Sequence, residues 1–278
     1  MSDETPALAG VIGWPIAHSK SPILHGDWLR KYGIQGHYVA IGLKQEKFED
    51  GLRALMTLGF KGVNVTIPYK ENVLSIATSI SDRAALIGAA NTLIFRENGS
   101  IRADNTDGYG FIQNIRQKEP DWRGSDGPAL VLGAGGASRA IVSSLLDDGA
   151  PEVRITNRTR HRADLIKDQF GAKITVVDWA RVNDAMDGIA TLVNTTSLGM
   201  IGQPPLKIRV SACPKSALVT DIVYNPLKTE LLAAAEEFGL RTVDGLGMLL
   251  HQGVPGFEAW FDIRPEVDDA LRQAVLSA

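Results

Sequence analysis

The sequence predicts an α/β protein of about two domains. Its 278 residues exceed the roughly 150 residues of an average domain. Short β-branched runs alternate with segments of helical periodicity, which is the pattern of parallel α/β architecture. A glycine-rich turn joins one predicted strand to a predicted helix near the middle of the chain. The elements of each half follow from these signals.

The first half contains three predicted strands, two helices and a hairpin. Ser21 and Pro22 begin the first helix, because serine suits the cap and proline the first turn. Asn98-Gly99 predicts the turn of the hairpin, since this pair supplies two positive φ angles. The strands are expected at 8–13, 39–41 and 63–66, the helices at 21–32 and 47–58, and the hairpin strands at 91–95 and 101–103.

A loop at 119–128 precedes a second half with stronger signals. Buried-type strands are expected at 129–132, 153–156, 174–177, 191–194 and 217–223. Helices are expected between the glycine turn and Gly149, at 162–170 and at 229–238, with two more at 247–260 and 265–276.

Composition excludes several classes of protein. The chain has 29 Lys+Arg against 32 Asp+Glu, a net charge of −3, which argues against a nucleic-acid protein with a broad basic surface. Cys213 is the only cysteine, so neither an intrachain disulfide nor a cysteine metal cluster can form. The acidic first residues and the lack of an apolar run of about 18 residues predict a cytoplasmic protein without membrane contact.

The glycine turn has the features of a dinucleotide site. It follows a predicted strand and opens a helix, with Ser138 in place of the usual third glycine. Gly133 would permit the tight turn, and Gly135 would let a pyrophosphate approach the N–H groups that begin the helix. The alternative is a plain glycine-rich turn.

The end of the next strand favours NADP over NAD. An NAD site carries an acidic residue there, whereas this chain has the run Asn-Arg-Thr-Arg-His-Arg at 157–162. Guanidinium groups bind a 2′-phosphate through charge-assisted hydrogen bonds. Arg158 stands at the strand end, where the ribose would lie, while Arg160 also fits a solvated helix start.

Polar motifs follow one another in collinear order over nearly the whole chain. In the first half they are His18-Ser19-Lys20-Ser21-Pro22 and the runs at 64–70, 88–92 and 105–108. In the second half they are the runs at 133–138, 157–159, 194–196, 224–226 and 244–249, followed by Gln252. Together these motifs resemble those of shikimate dehydrogenases.

The resemblance implies reversible NADPH-dependent reduction of 3-dehydroshikimate to shikimate, on the route to chorismate and the aromatic amino acids. It also implies a substrate domain formed by 1–106 and 245–278 and a Rossmann-like, doubly wound NADP domain at 107–244. The expected partner is the small-molecule substrate, with no nucleic acid and no metal. Whether the chain forms a homodimer is left open.

Site residues follow from the same resemblance. It implies that Ser19 and Ser21 hold the substrate carboxylate, near Tyr224, and that Thr66, Asn91 and Gln252 bind hydroxyls. Lys70 and Asp107 match the catalytic pair and also contact the substrate. The cofactor positions are Asp82, Gly133, Ala134, Gly135, Gly136, Ala137, Asn157, Arg158, Thr159, Arg160, His161, Arg162, Ile222 and Gly245.

Two other functions fit parts of this pattern. A quinate or quinate/shikimate dehydrogenase would need room beside Ser19 and Ser21 for one more hydroxyl. A catalytically silent sensor of shikimate-like ligands would not need both Lys70 and Asp107.

Overall fold

The computed structural model describes residues 5–278, which fall into two compact units. The first contains the described residues up to Thr106 together with Leu250–Ala278, and the second is Asp107–Leu249. The division expected from the sequence differs at the second boundary, which lies inside a helix rather than before it. No helix within residues 5–278 is long and apolar enough to cross a membrane.

The first unit is built on a mixed sheet of six strands in the order β2-β1-β3-β5-β6-β4. Strand β1 pairs in parallel with β2 and β3, whereas β5 is antiparallel to both β3 and β6. The strands are β1 (Ala7–Gly13), β2 (Gly36–Gly42), β3 (Phe60–Val65), β4 (Ser79–Ile80), β5 (Thr92–Phe95) and β6 (Ile101–Asp104).

Helices cover this sheet and bury its apolar residues. Leu52 of one helix packs with Ile12, Val63 and Leu93 of three strands in a single buried core. The helices are α1 (Ser21–Lys31), α2 (Phe48–Thr57), α3 (Val73–Ile76) and α4 (Asp82–Ile87), with α10 (Asp269–Leu276) near the C-terminus. Helix α9 (Leu246–Phe261) begins in the second unit and ends in the first.

The second unit is a fully parallel sheet with a core on each face. Its order is β12-β11-β10-β7-β8-β9. Val131 belongs to one core and its neighbour Leu130 to the other, so the sheet is doubly wound. The elements are α5 (Asp107–Lys118), β7 (Ala129–Leu132), α6 (Gly136–Asp147), β8 (Val153–Thr156), α7 (Arg160–Phe170), β9 (Ile174–Val177), β10 (Thr191–Asn194), β11 (Leu218–Asp221), α8 (Glu230–Glu237) and β12 (Arg241–Val243).

Two local expectations were wrong. The hairpin forms, but only Gly99 in its loop has a positive φ, because Arg96 N–H bonds to Ser100 O and makes the loop longer than two residues. Ser21 is the first helical residue of α1 rather than its cap, which is Lys20. The elements β4, β12, α3 and α4 were not predicted.

Candidate functional site

The loop between β1 and α1 joins the two serines expected to hold a carboxylate. Ser21 N–H donates to Ser19 Oγ at 3.3 Å, so the Ser19 hydroxyl serves the first N–H of the helix. Ser21 is only 7 % exposed, and burial raises the pKa of Tyr38 more than Ser21 lowers it. Lys20 points away from both, because its Nζ donates to Val275 O at 2.9 Å.

The amides of Asn91 and Gln252 meet although they lie 161 positions apart in the chain. Asn91 Nδ2 donates to Gln252 Oε1 at 3.2 Å. Thr106 lies against both, since its N–H donates to Asn91 Oδ1 at 2.9 Å and its hydroxyl to Gln252 O at 2.8 Å. Two of the three expected hydroxyl-binding residues therefore form one polar group, with Asn91 buried and Gln252 half-buried.

Thr66 and Lys70 lie in the turn after β3. Thr66 N–H donates to Ile12 O at 3.0 Å, and Thr66 O accepts from Tyr69 N–H at 3.0 Å. Lys70 O accepts from Ala90 N–H at 2.7 Å, so the main chain holds Lys70 one residue away from Asn91. The first unit thus brings Thr66, Lys70 and Asn91 into one region, at the ends of β3 and β5.

The segment that leads to Asp107 is anchored by Asp104. Its Oδ1 accepts from Ser81 Oγ at 2.6 Å, Arg83 Nε at 2.6 Å and Asn105 N–H at 2.7 Å. Burial alone would raise the pKa of Asp104, but these hydrogen bonds and the Arg83 charge lower it overall. Asp82, the weaker cofactor position, lies exposed in the first turn of α4.

In the second unit, the glycine turn has the room that its sequence predicts. Gly133 has φ 103°, and a Cβ there would lie 2.8 Å from Thr195 Oγ1. At Gly135 and Gly136 an added Cβ would meet no atom within 4 Å. Ser138 replaces the third glycine and donates its hydroxyl to Gly133 O at 2.7 Å, which closes the turn onto α6. Ala134 and Ala137 complete this segment.

The arginines that follow β8 have different surroundings. Arg160 forms exposed ion pairs with Asp178 and Asp164, so its guanidinium already faces two carboxylates. Arg158 and Arg162 are exposed and have no ion-pair partner among the described residues. Thr159 stands at the N-cap of α7, and the side chain of Asn157 donates to its carbonyl at 2.8 Å, while His161 is exposed.

The remaining expected residues also belong to the second unit. Asp107 is the buried first residue of α5, where its charge is favourable to the helix dipole. A Cβ on Gly245 would lie 2.4 Å from Ile222 O, so only glycine fits this approach of two main-chain segments. Tyr224 is half-buried, and burial raises its pKa.

Sequence reasoning missed several residues that hold the expected site. They are Tyr38, Asn64, Thr92 and Thr106, all buried. Asn64 interrupts the apolar strand β3, and such an interruption is the one signal in the sequence that could have singled it out. Within residues 5–278 no three His, Cys, Asp or Glu side chains are grouped closely enough to hold a metal ion.

Comparisons with known proteins give a consistent result. Family models match the chain at 11–93 (shikimate dehydrogenase substrate binding domain), 116–244 (shikimate / quinate 5-dehydrogenase) and 245–276 (shikimate 5'-dehydrogenase C-terminal domain). A protein of Paracoccus denitrificans named shikimate dehydrogenase (NADP⁺) is 61 % identical over 97 % of this chain and 96 % of its own.

Solved structures agree with the family models. Shikimate 5-dehydrogenase from Thermus thermophilus, in complex with NADP(H) and shikimate, has a TM-score of 0.87 at 33 % identity and covers 98 % of this chain and 99 % of its own. Quinate dehydrogenase from Corynebacterium glutamicum, in complex with NAD, has a TM-score of 0.90 at 30 % identity, with the same coverage of 98 % and 99 %.

Proposed function

The chain belongs to the shikimate dehydrogenase family, and on that premise we propose that it interconverts 3-dehydroshikimate and shikimate, with Lys70 and Asp107 as its catalytic pair. It is an NADP-dependent oxidoreductase with a two-domain α/β fold. In this proposal the first unit binds the substrate and the second binds NADP.

The meeting of Asn91 with Gln252 is the observation that most supports the substrate. A polyhydroxylated ring needs several fixed donors and acceptors, and isolated surface amides cannot provide them. Here two amides from distant parts of the chain are joined at 3.2 Å and held by Thr106. The serine pair in the same unit offers hydroxyls to a carboxylate, since Ser19 Oγ accepts from Ser21 N–H and keeps its own O–H to donate.

The residues of the second unit fit NADP. The open space at Gly135 and Gly136 leaves the N–H groups at the start of α6 accessible to a pyrophosphate. Arg158 and Arg162 are unneutralised cations that suit a 2′-phosphate, whereas Arg160 is already paired. When bound, NADPH supplies the hydride that becomes the new C3 hydrogen of shikimate.

Lys70 and Asp107 have complementary tasks in the proposed reaction. As the ketone becomes an alkoxide, the Lys70 ammonium stabilises the negative charge and donates the proton that completes the hydroxyl. Asp107 orients that hydroxyl and the lysine. Hydrogen bonds of the main chain connect both residues to the surroundings of Asn91. Lys70 O accepts from the N–H of Ala90, the residue before Asn91. Asp107 follows Thr106, whose N–H donates to the Asn91 side chain.

Replacement of Lys70 tests this proposal. We expect Lys70→Ala to lower kcat for shikimate oxidation about 10²- to 10⁴-fold and to raise KM much less, because the lysine acts mainly in the transition state. Lys61→Ala removes an exposed lysine of β3 in the same unit and should leave both constants unchanged. An effect of Lys70→Ala on KM alone would exclude the catalytic role.

Two further assignments belong to the same proposal. A cytoplasmic location suits Cys213, the only cysteine, which is buried; burial raises the pKa of its thiol to about 11 and keeps it protonated. The second assignment is the partner, the small-molecule substrate, for which this chain supplies every residue proposed above.

A further inference from the structure

A chain of hydrogen bonds runs through the first unit from Tyr38 to Gln252. Tyr38 Oη donates to Asn64 Oδ1 at 2.7 Å. Asn64 Nδ2 donates to Thr92 Oγ1 at 3.2 Å, and Thr92 Oγ1 donates to Asn91 Oδ1 at 3.0 Å. Asn91 Nδ2 then donates to Gln252 Oε1. We call Tyr38, Asn64 and Thr92 the relay.

The relay determines which way the Asn91 amide faces. Thr92 O–H and Thr106 N–H both donate to Asn91 Oδ1, which uses its two lone pairs. The Thr106 hydroxyl lies 3.1 Å from Asn91 Oδ1 and 2.8 Å from Gln252 O, and its single proton suits the nearer oxygen, that of Gln252. Thr92 accepts from Asn64 and donates to Asn91, and the bond from Tyr38 to the Asn64 oxygen favours the amide orientation that turns the Asn64 N–H groups toward Thr92.

Every member of the relay is buried, so water cannot substitute for a lost bond without a new cavity. The Tyr38 ring stacks on the buried His25 ring, with centroids 3.9 Å apart and planes 3° apart. Burial lowers the pKa of His25 to about 3, more than a contact with Asn64 raises it, so the stack is uncharged at neutral pH.

We propose that Tyr38, Asn64 and Thr92 are positioning residues that hold the Asn91 amide with its N–H groups toward Gln252 and the substrate hydroxyls. The inference rests on the proposed function, because it assigns the purpose of the relay to shikimate binding. A rotated Asn91 amide would place two oxygens against each other at Gln252 and would replace a donor to the substrate by an acceptor.

The test uses single-hydroxyl variants of the purified full chain. Thr92→Val and Tyr38→Phe each remove one donor of the relay, and Thr92→Ser keeps the hydroxyl. Tyr32→Phe is the matched control, since the Tyr32 hydroxyl accepts from Glu266 N–H in the same unit but outside the relay. KM and kcat are measured for shikimate and for NADP, together with the double variant Tyr38→Phe/Thr92→Val.

We expect Thr92→Val and Tyr38→Phe each to raise KM for shikimate about three- to tenfold, the change that corresponds to the loss of roughly one hydrogen bond. KM for NADP should change by less than about twofold, Thr92→Ser and Tyr32→Phe should match the wild type, and the double variant should be no worse than the poorer single variant.

Three results would overturn the relay: unchanged KM for shikimate, equal changes in KM for NADP, or single effects that multiply in the double variant. Tyr38→Phe, which keeps the stacked ring, carries the test if Thr92→Val does not fold. If the wild type neither oxidises nor binds shikimate, the proposed function fails and the inference fails with it. An active wild type with unaffected variants refutes the relay alone.

Discussion

At the residue scale, three neighbouring arginines differ in whether a carboxylate already faces them. The sequence places Arg158, Arg160 and Arg162 in one run after β8, and all three were expected to contact the cofactor. Arg160 is paired with Asp164 and Asp178, whose negative charges oppose the approach of a phosphate. Discrimination between NADP and NAD should therefore depend on Arg158 and Arg162.

Replacement of Arg158 tests this assignment. We expect Arg158→Ala to raise KM for NADP about 10- to 100-fold, as for the loss of a hydrogen bond between charged groups, and to leave KM for NAD nearly unchanged. Arg160→Ala is the matched control and should change KM for NADP by less than about threefold. Steady-state kinetics with both cofactors measure the difference, and equal losses for NAD and NADP in Arg158→Ala would contradict the 2′-phosphate role.

At the element scale, two glycines that look alike in the sequence have different tasks. Gly245 lies where a Cβ would come 2.4 Å from Ile222 O, so it allows two main-chain segments to approach. Gly135, at the N-cap of α6, has φ −98° and open space around it. Packing requires the first glycine, and only a ligand would require the second.

Alanine substitutions should separate these tasks. Gly245→Ala should lower the free energy of unfolding by about 1–3 kcal/mol, seen as a lower Tm, because the main chain must shift. Gly135→Ala should keep the wild-type Tm but raise KM for NADP about tenfold or more, because its Cβ blocks the approach of the pyrophosphate. Thermal unfolding and NADP kinetics are measured on both variants. A destabilised Gly135→Ala with normal KM would reverse the assignment.

The strands show how far the sequence could predict the fold. The runs at 129–132, 153–156, 174–177 and 191–194 are strands with these same bounds. The first and last are fully buried and largely apolar, as parallel strands are, while the other two are marked by β-branched residues. β12 was missed because it has three residues and lies at the sheet edge, with Arg241 exposed.

The sequence proposed members of the candidate site but not their connections. The resemblance named Asn91 and Gln252, yet their pairing depends on the fold of a chain segment of 161 positions. The pairing of Tyr38 with Asn64 could not be found from the sequence, because it depends on which faces of β2 and β3 turn inward. The register of these strands in the sheet decides which side chains face inward, and one sequence does not reveal that register.

At the scale of the whole molecule, buried histidines make stability depend on pH. The folded state lowers the pKa of His25 from 6.5 to about 3 and that of His251 to about 4, in both cases by burial. The unfolded chain therefore binds more protons than the folded chain below pH 6.5. Stability from this source is fully present above that pH and falls as the pH decreases toward the folded pKa values.

Replacement of His25 tests this dependence. We expect the wild-type free energy of unfolding to fall by up to about 1.4 kcal/mol per pH unit for each of the two histidines between pH 6 and 4. His25→Phe keeps an aromatic ring against Tyr38 and should reduce the dependence of the free energy of unfolding on pH. His37→Gln replaces an exposed histidine and should leave that dependence unchanged. Urea unfolding at several pH values gives the slopes. A slope in His25→Phe equal to that of the wild type would contradict the assignment.

The central claim, NADP-dependent oxidation and formation of shikimate, is tested most directly by one assay. Purified protein is supplied with shikimate or quinate, each with NADP or NAD, and the absorbance of the reduced nicotinamide is followed. We expect kcat/KM for shikimate with NADP to exceed that of each other pair by at least about tenfold. Comparable or higher activity with quinate and NAD would contradict the claim, and folded protein that binds shikimate but is inactive in all four pairs would indicate the silent sensor.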